Sequence, residues 1–215
     1  MLKYAVILCL FLSGCATAPP VGKPSVSTAS LAGTYHTVVK GETLWRISRN
    51  YGIDLEELTR VNRIADNRSI EVGQRIFIPD KMKGSYKITK YSEGDDFIWP
   101  LQGRVVSSFG QTDNYMVNKG IKISPYNSQD VLASRSGKVI FVGKDVAGLN
   151  RVVIIDHADG LFTVYGLCCN IFVKPGDNIR RGELIGKIRG SSKDDSLHFE
   201  IRKGHLSQNP VFYLP

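Results

Sequence analysis

Two different hydrophobic patterns divide the chain. Between residues 35 and 79, two segments with apolar residues at three- and four-residue spacing lie between two short alternating runs. The first spacing is typical of amphipathic helices, and alternation is typical of half-buried strands. From residue 97 onward, short apolar runs are separated by Gly, Asn and Asp, and no segment has helical spacing. The patterns predict a small α+β module followed by an all-β antiparallel sandwich or barrel-like domain.

The first module, residues 35–79, has clear helix boundaries between its two strands. Thr43 is suited to cap the amino end of a first helix, and Gly52 is suited to the left-handed conformation that ends it. Asp54, followed three residues later by Glu57, predicts the start of a second helix. The predicted order is therefore strand, helix, helix, strand.

One predicted strand of the second half, Ser196–Arg202, carries residues of chemical interest. Apolar and polar residues alternate there, which predicts a half-buried strand with Ser196, His198 and Glu200 on one face. A His-x-His pair on such a strand would direct two imidazoles into one cleft, where they suit a metal ion and a proton-transfer group. This chain has Ser-x-His instead. The function of the domain therefore depends on whether the other ligands are present.

Residues 1–15 have the features of an export signal. Lys3 precedes the apolar stretch Tyr4–Leu12, which is shorter than the roughly 20 residues of a membrane-spanning helix. The Leu-Ser-Gly-Cys sequence that follows resembles the lipobox of bacterial lipoproteins, which implies that the thiol of Cys15 receives a lipid. Ala16 stands where inner-membrane lipoproteins usually have aspartate, which implies an outer-membrane anchor facing the periplasm. Ordinary secretion, without a lipid on Cys15, is the alternative.

Two polar segments separate the predicted parts of the chain. Residues 16–34 are rich in Pro, Ser, Ala and Thr and cannot bury a core, so they are predicted to form a flexible tether. Residues 80–96 contain four lysines and are predicted to be an inter-domain linker. The predicted organisation is a signal peptide (1–15), the tether, a first domain (35–79), the linker and a second domain (97–215).

Charge and cysteine content narrow the possible functions. The formal net charge is +8, but the basic residues are scattered and no nucleic-acid-binding motif is present, so nucleic acid is not an expected partner. Cys168 and Cys169 are adjacent and have no Cys-x-x-Cys spacing. They are therefore predicted to be small core or loop residues, and no disulfide framework is expected.

The module at residues 35–79 resembles the LysM domain over its whole length. The resemblance rests on Tyr35, on Asn62 and on the sequence Lys-Gly-Glu-Thr-Leu-Trp at residues 40–45. It implies a domain that binds glycans containing N-acetylglucosamine, and therefore peptidoglycan. The groove positions of the family correspond to Gly41, Glu42, Thr43, Leu44, Ser69 and Ile70. The alternative is that these residues only cap and pack, since Thr43 caps a helix in either case.

The second half resembles the lysostaphin/LytM-type domain of peptidoglycan endopeptidases. The resemblance rests on five motifs in the family's order, at 97–100, 107–110, 118–123, 196–202 and 209–210. It implies a fold in which a His-x-x-x-Asp motif and the second His of His-x-His bind zinc. Two further histidines of the family polarise water and stabilise the oxyanion, as metal hydrolysis requires.

This chain departs from the family at four of the five site positions. The His-x-x-x-Asp ligands are replaced by Asn118 and Lys122, whereas the third ligand, His198, is kept. The two auxiliary histidines are replaced by Leu167 and Ser196. An ammonium about 4 Å from a divalent ion would be repelled by roughly 8 kcal/mol at an effective dielectric constant of ~20. One histidine cannot hold catalytic zinc, so no metal, no cofactor and no catalytic residue is expected.

The complete architecture resembles that of the NlpD-type envelope lipoproteins. That resemblance implies a non-enzymatic protein that binds a periplasmic N-acetylmuramoyl-L-alanine amidase and relieves its autoinhibition, so that septal peptidoglycan is split during cell separation. The degenerate cleft would accept a segment of the partner, and the residues expected to line it are Asn118, Lys122, Leu167, Ser196 and His198. Two alternatives remain: a passive cell-wall tether without an amidase partner, and an active zinc endopeptidase with unusual ligands.

Overall fold

The computed structural model describes residues 32–65, 70–83, 96–113, 115–144, 149–166, 168–189 and 195–215. Cys15, Ser69 and Leu167 lie outside these residues, as do the predicted signal peptide and most of the two predicted polar segments. All described residues belong to one compact unit, Leu31–Pro215. Within the part of the chain that is described, no helix is long and apolar enough to cross a membrane.

The first part of the described chain is a strand–helix–helix–strand module. Its elements are β1 (Gly33–Thr37), α1 (Leu44–Tyr51), α2 (Leu55–Val61) and β2 (Arg75–Pro79), followed by a 3₁₀ turn at Asp80–Met82. β1 pairs antiparallel with β2. β1 begins inside the segment predicted to be the tether, because Gly33 and Thr34 pair with Pro79 and Ile78. The predicted order of elements is confirmed.

The helix boundaries of this module follow from three side-chain or backbone features. The Thr43 hydroxyl accepts a hydrogen bond from the amide of Arg46 at 3.1 Å and so caps α1. Gly52 ends α1 in the left-handed conformation, with φ 62°. Asp54 caps α2 by accepting from the amide of Glu56 at 3.0 Å. All three boundaries agree with the sequence prediction.

Asn62 joins the end of α2 to β2. Its Nδ2 donates to the carbonyls of Leu58 and Phe77 at 2.9 Å each, and its Oδ1 accepts from the amide of Phe77 at 2.6 Å. The carbonyl of Leu58 also accepts from the backbone amide of Asn62 at 3.2 Å, so Asn62 closes the last turn of α2 through both its backbone and its side chain. The helices and strands enclose a small apolar core, whose fully buried members include Leu44, Ile47, Leu58, Ile76 and Ile78.

The rest of the described chain is built from antiparallel strands. They are β3 (Gly103–Ser107), β4 (Thr112–Asp113), β5 (Met116–Val117), β6 (Ile121–Pro125), β7 (Asp130–Leu132), β8 (Gly137–Lys144), β9 (Arg151–Asp156), β10 (Leu161–Gly166), β11 (Cys168–Ile171), β12 (Asn178–Ile179), β13 (Leu184–Ile188), β14 (Leu197–Lys203) and β15 (Leu206–Gln208). The larger sheet has the order β12-β8-β9-β10-β14-β6-β3, with β15 paired to β14. A three-stranded sheet has the order β11-β13-β7, and β4 and β5 form a hairpin. A 3₁₀ turn at Pro210–Phe212 follows β15.

β14 lies between β10 and β6 near the centre of the larger sheet. Its alternate residues Leu197, Phe199 and Ile201 have no exposed surface and belong to the core. Phe199 contacts Tyr165 of β10, with ring centroids 5.4 Å apart. The Tyr165 hydroxyl accepts from the amide of Ser134 at 2.8 Å. The predicted all-β antiparallel domain is confirmed.

The helical module packs against the β domain through α1. Trp45 contacts Phe97 and Tyr213, with ring centroids 5.4 and 6.0 Å apart. The guanidinium of Arg135 lies 5.3 Å from the ring centroid of Trp45 and 5.2 Å from that of Phe97. Arg135 Nη1 pairs with Oδ2 of Asp159 at 2.8 Å. We call these five residues the junction cluster; it places aromatic rings and a buried ion pair between the two domains.

Candidate functional site

Three of the predicted glycan-binding residues lie around one cavity. Glu42, Thr43 and Ile70 line a space of about 310 Å³, which we call the junction cavity. Gly41 occupies the turn before α1, with φ 82°. The side chain of Leu44 belongs to the core of the module. The structure therefore brings three predicted groove residues together and places Leu44 beneath them in the core.

The carboxylate of Glu42 is positioned by its own domain. Its Oε2 accepts from Nε2 of His36 at 2.8 Å and from the amide of Val39 at 2.9 Å. Nδ1 of His36 lies 3.2 Å from the hydroxyl of Tyr51, which joins this group to α1. Glu42 is therefore a fixed acceptor at the edge of the cavity, and His36 has a structural role in holding it.

The second predicted site lies on the polar face of β14. Ser196, His198 and Glu200 are only 8%, 5% and 3% exposed, so both faces of this strand are buried here. The prediction of a half-buried strand is therefore wrong for this stretch. One cause is close packing, because a Cβ on Gly120 would lie 2.8 Å from Cγ of Glu200.

Glu200 links two basic side chains on that face. Nε2 of His198 lies 2.8 Å from Oε1 of Glu200, and Nε of Arg202 donates to Oε2 at 2.6 Å. Burial by itself raises the pKa of Glu200, but the hydrogen bonds from His198 and Arg202 and the positive charge of Arg202 outweigh it and lower the pKa below its usual range. Glu200 is therefore a carboxylate whose two oxygens are both engaged.

The second ring nitrogen of His198, Nδ1, is buried. Because Nε2 faces a carboxylate and donates to it, Nδ1 of the neutral ring keeps its lone pair. Among the described residues, Nδ1 has no hydrogen-bond partner. A buried acceptor in that state costs about 1–3 kcal/mol. Because Nδ1 is buried, a bound molecule could donate to it only by displacing the groups that cover it.

Lys122 and Asn118 are placed beside this histidine by β6 and the loop before it. Lys122 lies directly opposite His198 in the antiparallel pair of β6 and β14. Nδ2 of Asn118 donates to the hydroxyl of Ser107 at 2.9 Å, and its Oδ1 accepts from the amide of Gly120 at 3.1 Å. Asn118 therefore fixes the loop, while Lys122 presents its side chain on the same sheet face as His198.

Leu149 belongs to this surface, and the sequence analysis missed it. Gly166 of β10 lies opposite His198 in the sheet. A Cβ on Gly166 would lie 3.1 Å from Cβ of Leu149 and 3.3 Å from each of its two δ carbons. The leucine side chain therefore rests on Gly166, next to His198. The one sequence signal was the glycine inside a strand, which often marks the close approach of another group.

The two domains match two known family models. Residues 36–79 match the LysM domain, and residues 116–210 match peptidase family M23. These matches confirm both domain resemblances. Together with the fold, they define a class of proteins in which a LysM domain precedes a peptidase-like β domain.

Three relatives are similar to this chain over different shares of its length. "Uncharacterized lipoprotein YgeR" of Escherichia coli (strain K12) is 30% identical over 96% of this chain and 89% of the relative. "Lipoprotein NlpD/LppB homolog" of Pseudomonas aeruginosa is 25% identical over 100% of this chain and 91% of the relative. "Murein hydrolase activator NlpD" of Escherichia coli (strain K12) is 31% identical over 54% of this chain and 31% of the relative. The chain belongs to the family of NlpD-type lipoproteins with LysM and M23 domains.

Peptidase family M23 implies a zinc ion in the cleft, but the residues present do not fit one. His198 offers one free nitrogen, whereas both oxygens of Glu200 are already bound. The side-chain oxygen of Asn118, Oδ1, already accepts from the backbone amide of Gly120, and Lys122 brings a positive charge. No group of three or more His, Cys, Asp or Glu side chains that could hold a metal ion occurs in the described ranges.

Proposed function

We propose that this protein is a non-catalytic, peptidoglycan-binding lipoprotein that activates an N-acetylmuramoyl-L-alanine amidase for septal peptidoglycan splitting and cell separation. The observation that carries the proposal is that Asn118 and Lys122 replace two of the expected ligands of a peptidase-like fold, while one histidine, His198, remains. We propose that the cleft of such a fold keeps a shape for binding without the ligands for hydrolysis. The name of the Escherichia coli relative, murein hydrolase activator, supports the same function.

The cleft offers complementary contacts to a segment of the amidase. Lys122 supplies a cation, Nδ1 of His198 supplies an acceptor, and Ser196 supplies a hydroxyl. Leu149 adds an apolar surface. A partner segment that displaces the groups covering Nδ1 and donates to it would remove the cost of that unpaired acceptor. Binding of an amidase segment here would favour the uninhibited state of the enzyme through differential affinity.

The proposed lipid anchor and the LysM domain would hold this activity in the cell envelope. We propose that a lipid on Cys15 anchors the protein to the outer membrane, facing the periplasm, and that the LysM domain holds peptidoglycan through its groove. Relatives that are named lipoproteins support the anchor, and the LysM match supports the glycan partner.

Dye release from labelled peptidoglycan sacculi tests the proposal. The full chain is added alone, and then with each amidase of the same organism. We expect no release by the chain alone and strong stimulation of one amidase. Release by the chain alone that a chelator abolishes would identify an active endopeptidase and overturn the proposal. Absence of stimulation with every amidase would contradict activation and favour a passive wall-binding tether.

A further inference from the structure

The junction cavity has one wall from each domain. Its LysM wall holds three predicted glycan-binding residues, and its opposite wall belongs to the β domain and includes Trp99, Ser108 and Val211. We propose that this cavity is a saccharide subsite built by both domains, and that it holds one sugar residue of the glycan strand bound by the LysM groove. The inference rests on the proposed glycan binding and adds a contribution from the peptidase-like domain.

The lining of the cavity matches the two sides of a sugar ring. Trp99 is half-buried, and its Nε1 donates to the carbonyl of Pro215 at 2.7 Å, which fixes the orientation of the indole. The indole face suits the apolar C–H face of a pyranose, as aromatic surfaces do in ligand pockets. The hydroxyls of Thr43 and Ser108 and the fixed carboxylate of Glu42 suit its polar edge.

The size of the cavity favours a single saccharide unit over a larger glycopeptide. Its volume of about 310 Å³ lies at the lower end of the range, ~300–1,000 Å³, that small-molecule sites occupy. The site is also continuous with the predicted LysM groove, since Glu42, Thr43 and Ile70 belong to both. A sugar that extends the strand already held in the groove therefore explains both the size and the position.

Contacts between the two domains hold the two walls of the cavity in place. The junction cluster fixes α1 against the β domain, and two ion pairs span the same junction. Lys203 Nζ lies 2.9 Å from Oδ2 of Asp54, and Arg46 Nη1 lies 3.4 Å from Oδ2 of Asp96. A site that is formed before the ligand arrives loses less free energy on binding than one that must be assembled.

The position of the cavity relates glycan binding to the cleft. Ser108 directly follows β3, which is separated from β14 by β6 alone. Two inter-strand spacings amount to about 10 Å. Val105 of the cavity wall is paired with Ile123, whereas the neighbouring residue Lys122 and its partner His198 lie on the other face of the sheet. A sugar held against β3 would therefore leave the cleft free for a partner.

Calorimetric titration of the full chain in mild detergent with chitotetraose tests this inference. We expect Trp99→Leu to weaken binding by about three- to tenfold, because the stacking face is lost while apolar volume is kept. Val211→Phe fills the cavity without removing a contact and should weaken binding to a similar extent. Tyr126→Leu, an equivalent change at an exposed aromatic elsewhere in the β domain, should leave affinity unchanged.

Tryptophan fluorescence gives a second readout in the same titration. The chain has two tryptophans, and Trp45 is buried in the junction, so a change on adding chitotetraose reports Trp99. Wild-type affinity in both Trp99→Leu and Val211→Phe, together with weaker binding by Ile70→Ala, would overturn the two-domain subsite and leave LysM binding intact. Failure of the wild-type chain to bind chitotetraose would overturn the subsite and the proposed glycan binding together.

Discussion

The buried ion pair of the junction cluster makes a strong prediction about stability. Arg135 is 3% exposed and pairs with Asp159 at 2.8 Å. The amide of Leu161 donates to Oδ1 of Asp159 at 3.2 Å, and Asp159→Asn keeps an acceptor for it. The change removes the negative charge that pairs with the guanidinium of Arg135. Breaking one side of a buried pair costs about 3–5 kcal/mol. The rings of Trp45 and Phe97 still stabilise the cation, so we expect a loss at the lower end, about 3 kcal/mol.

Urea unfolding followed by far-ultraviolet circular dichroism measures this loss. The double variant Arg135→Met/Asp159→Asn should recover most of it, because the uncompensated charge is gone. As a control, Asp130→Asn breaks the exposed pair with Lys187, whose side chains are 44% and 45% exposed, and should change the free energy of unfolding by less than about 1 kcal/mol. A loss below about 1 kcal/mol in Asp159→Asn, or no recovery in the double variant, would refute the reasoning.

Three further variants test contacts inside the two domains. The pKa of Glu200 is lowered in the folded state, so the carboxylate contributes its full stabilisation above the unfolded pKa of about 4.3 and loses it as the pH falls through the folded value. Glu200→Gln should therefore make the free energy of unfolding less dependent on pH in the acid range, as measured by urea unfolding from pH 7 downward. Gly166→Ala should cost about 1–3 kcal/mol by displacing Leu149, and a second change, Leu149→Ala, should restore part of that loss. Asn62→Ala should cost about 2–3 kcal/mol, since it leaves the amide of Phe77 without its partner.

Local features of the fold were predictable because their causes lie within a few residues. Thr43, Gly52 and Asp54 set helix boundaries through their own hydroxyl, backbone and carboxylate groups. The alternation of apolar and polar residues around Phe199 and Ile201 likewise predicted the strand and the face that it turns to the core. The substitutions at the zinc positions were visible for the same reason, since each is a single residue within a recognisable motif.

Other features depend on contacts between distant segments, which no local pattern encodes. Trp45 of α1 packs on Phe97, which lies far away in the sequence and belongs to the other domain. The polar face of β14 is buried by packing such as that of Gly120 on Glu200. The junction cavity arises in the same way, since its two walls come from domains that sequence analysis treated separately.

Amidase stimulation by charge-reversed variants tests the central claim most directly. Lys122→Asp changes the cleft residue opposite His198, and Lys119→Asp makes the same charge change at an exposed position three residues earlier. With the full chain, labelled sacculi and the responsive amidase, we expect Lys122→Asp to reduce stimulation at least about tenfold, because a charged contact is lost and reversed. Lys119→Asp should stimulate as the wild type does. Equal stimulation by the wild type and Lys122→Asp would contradict activation through this cleft.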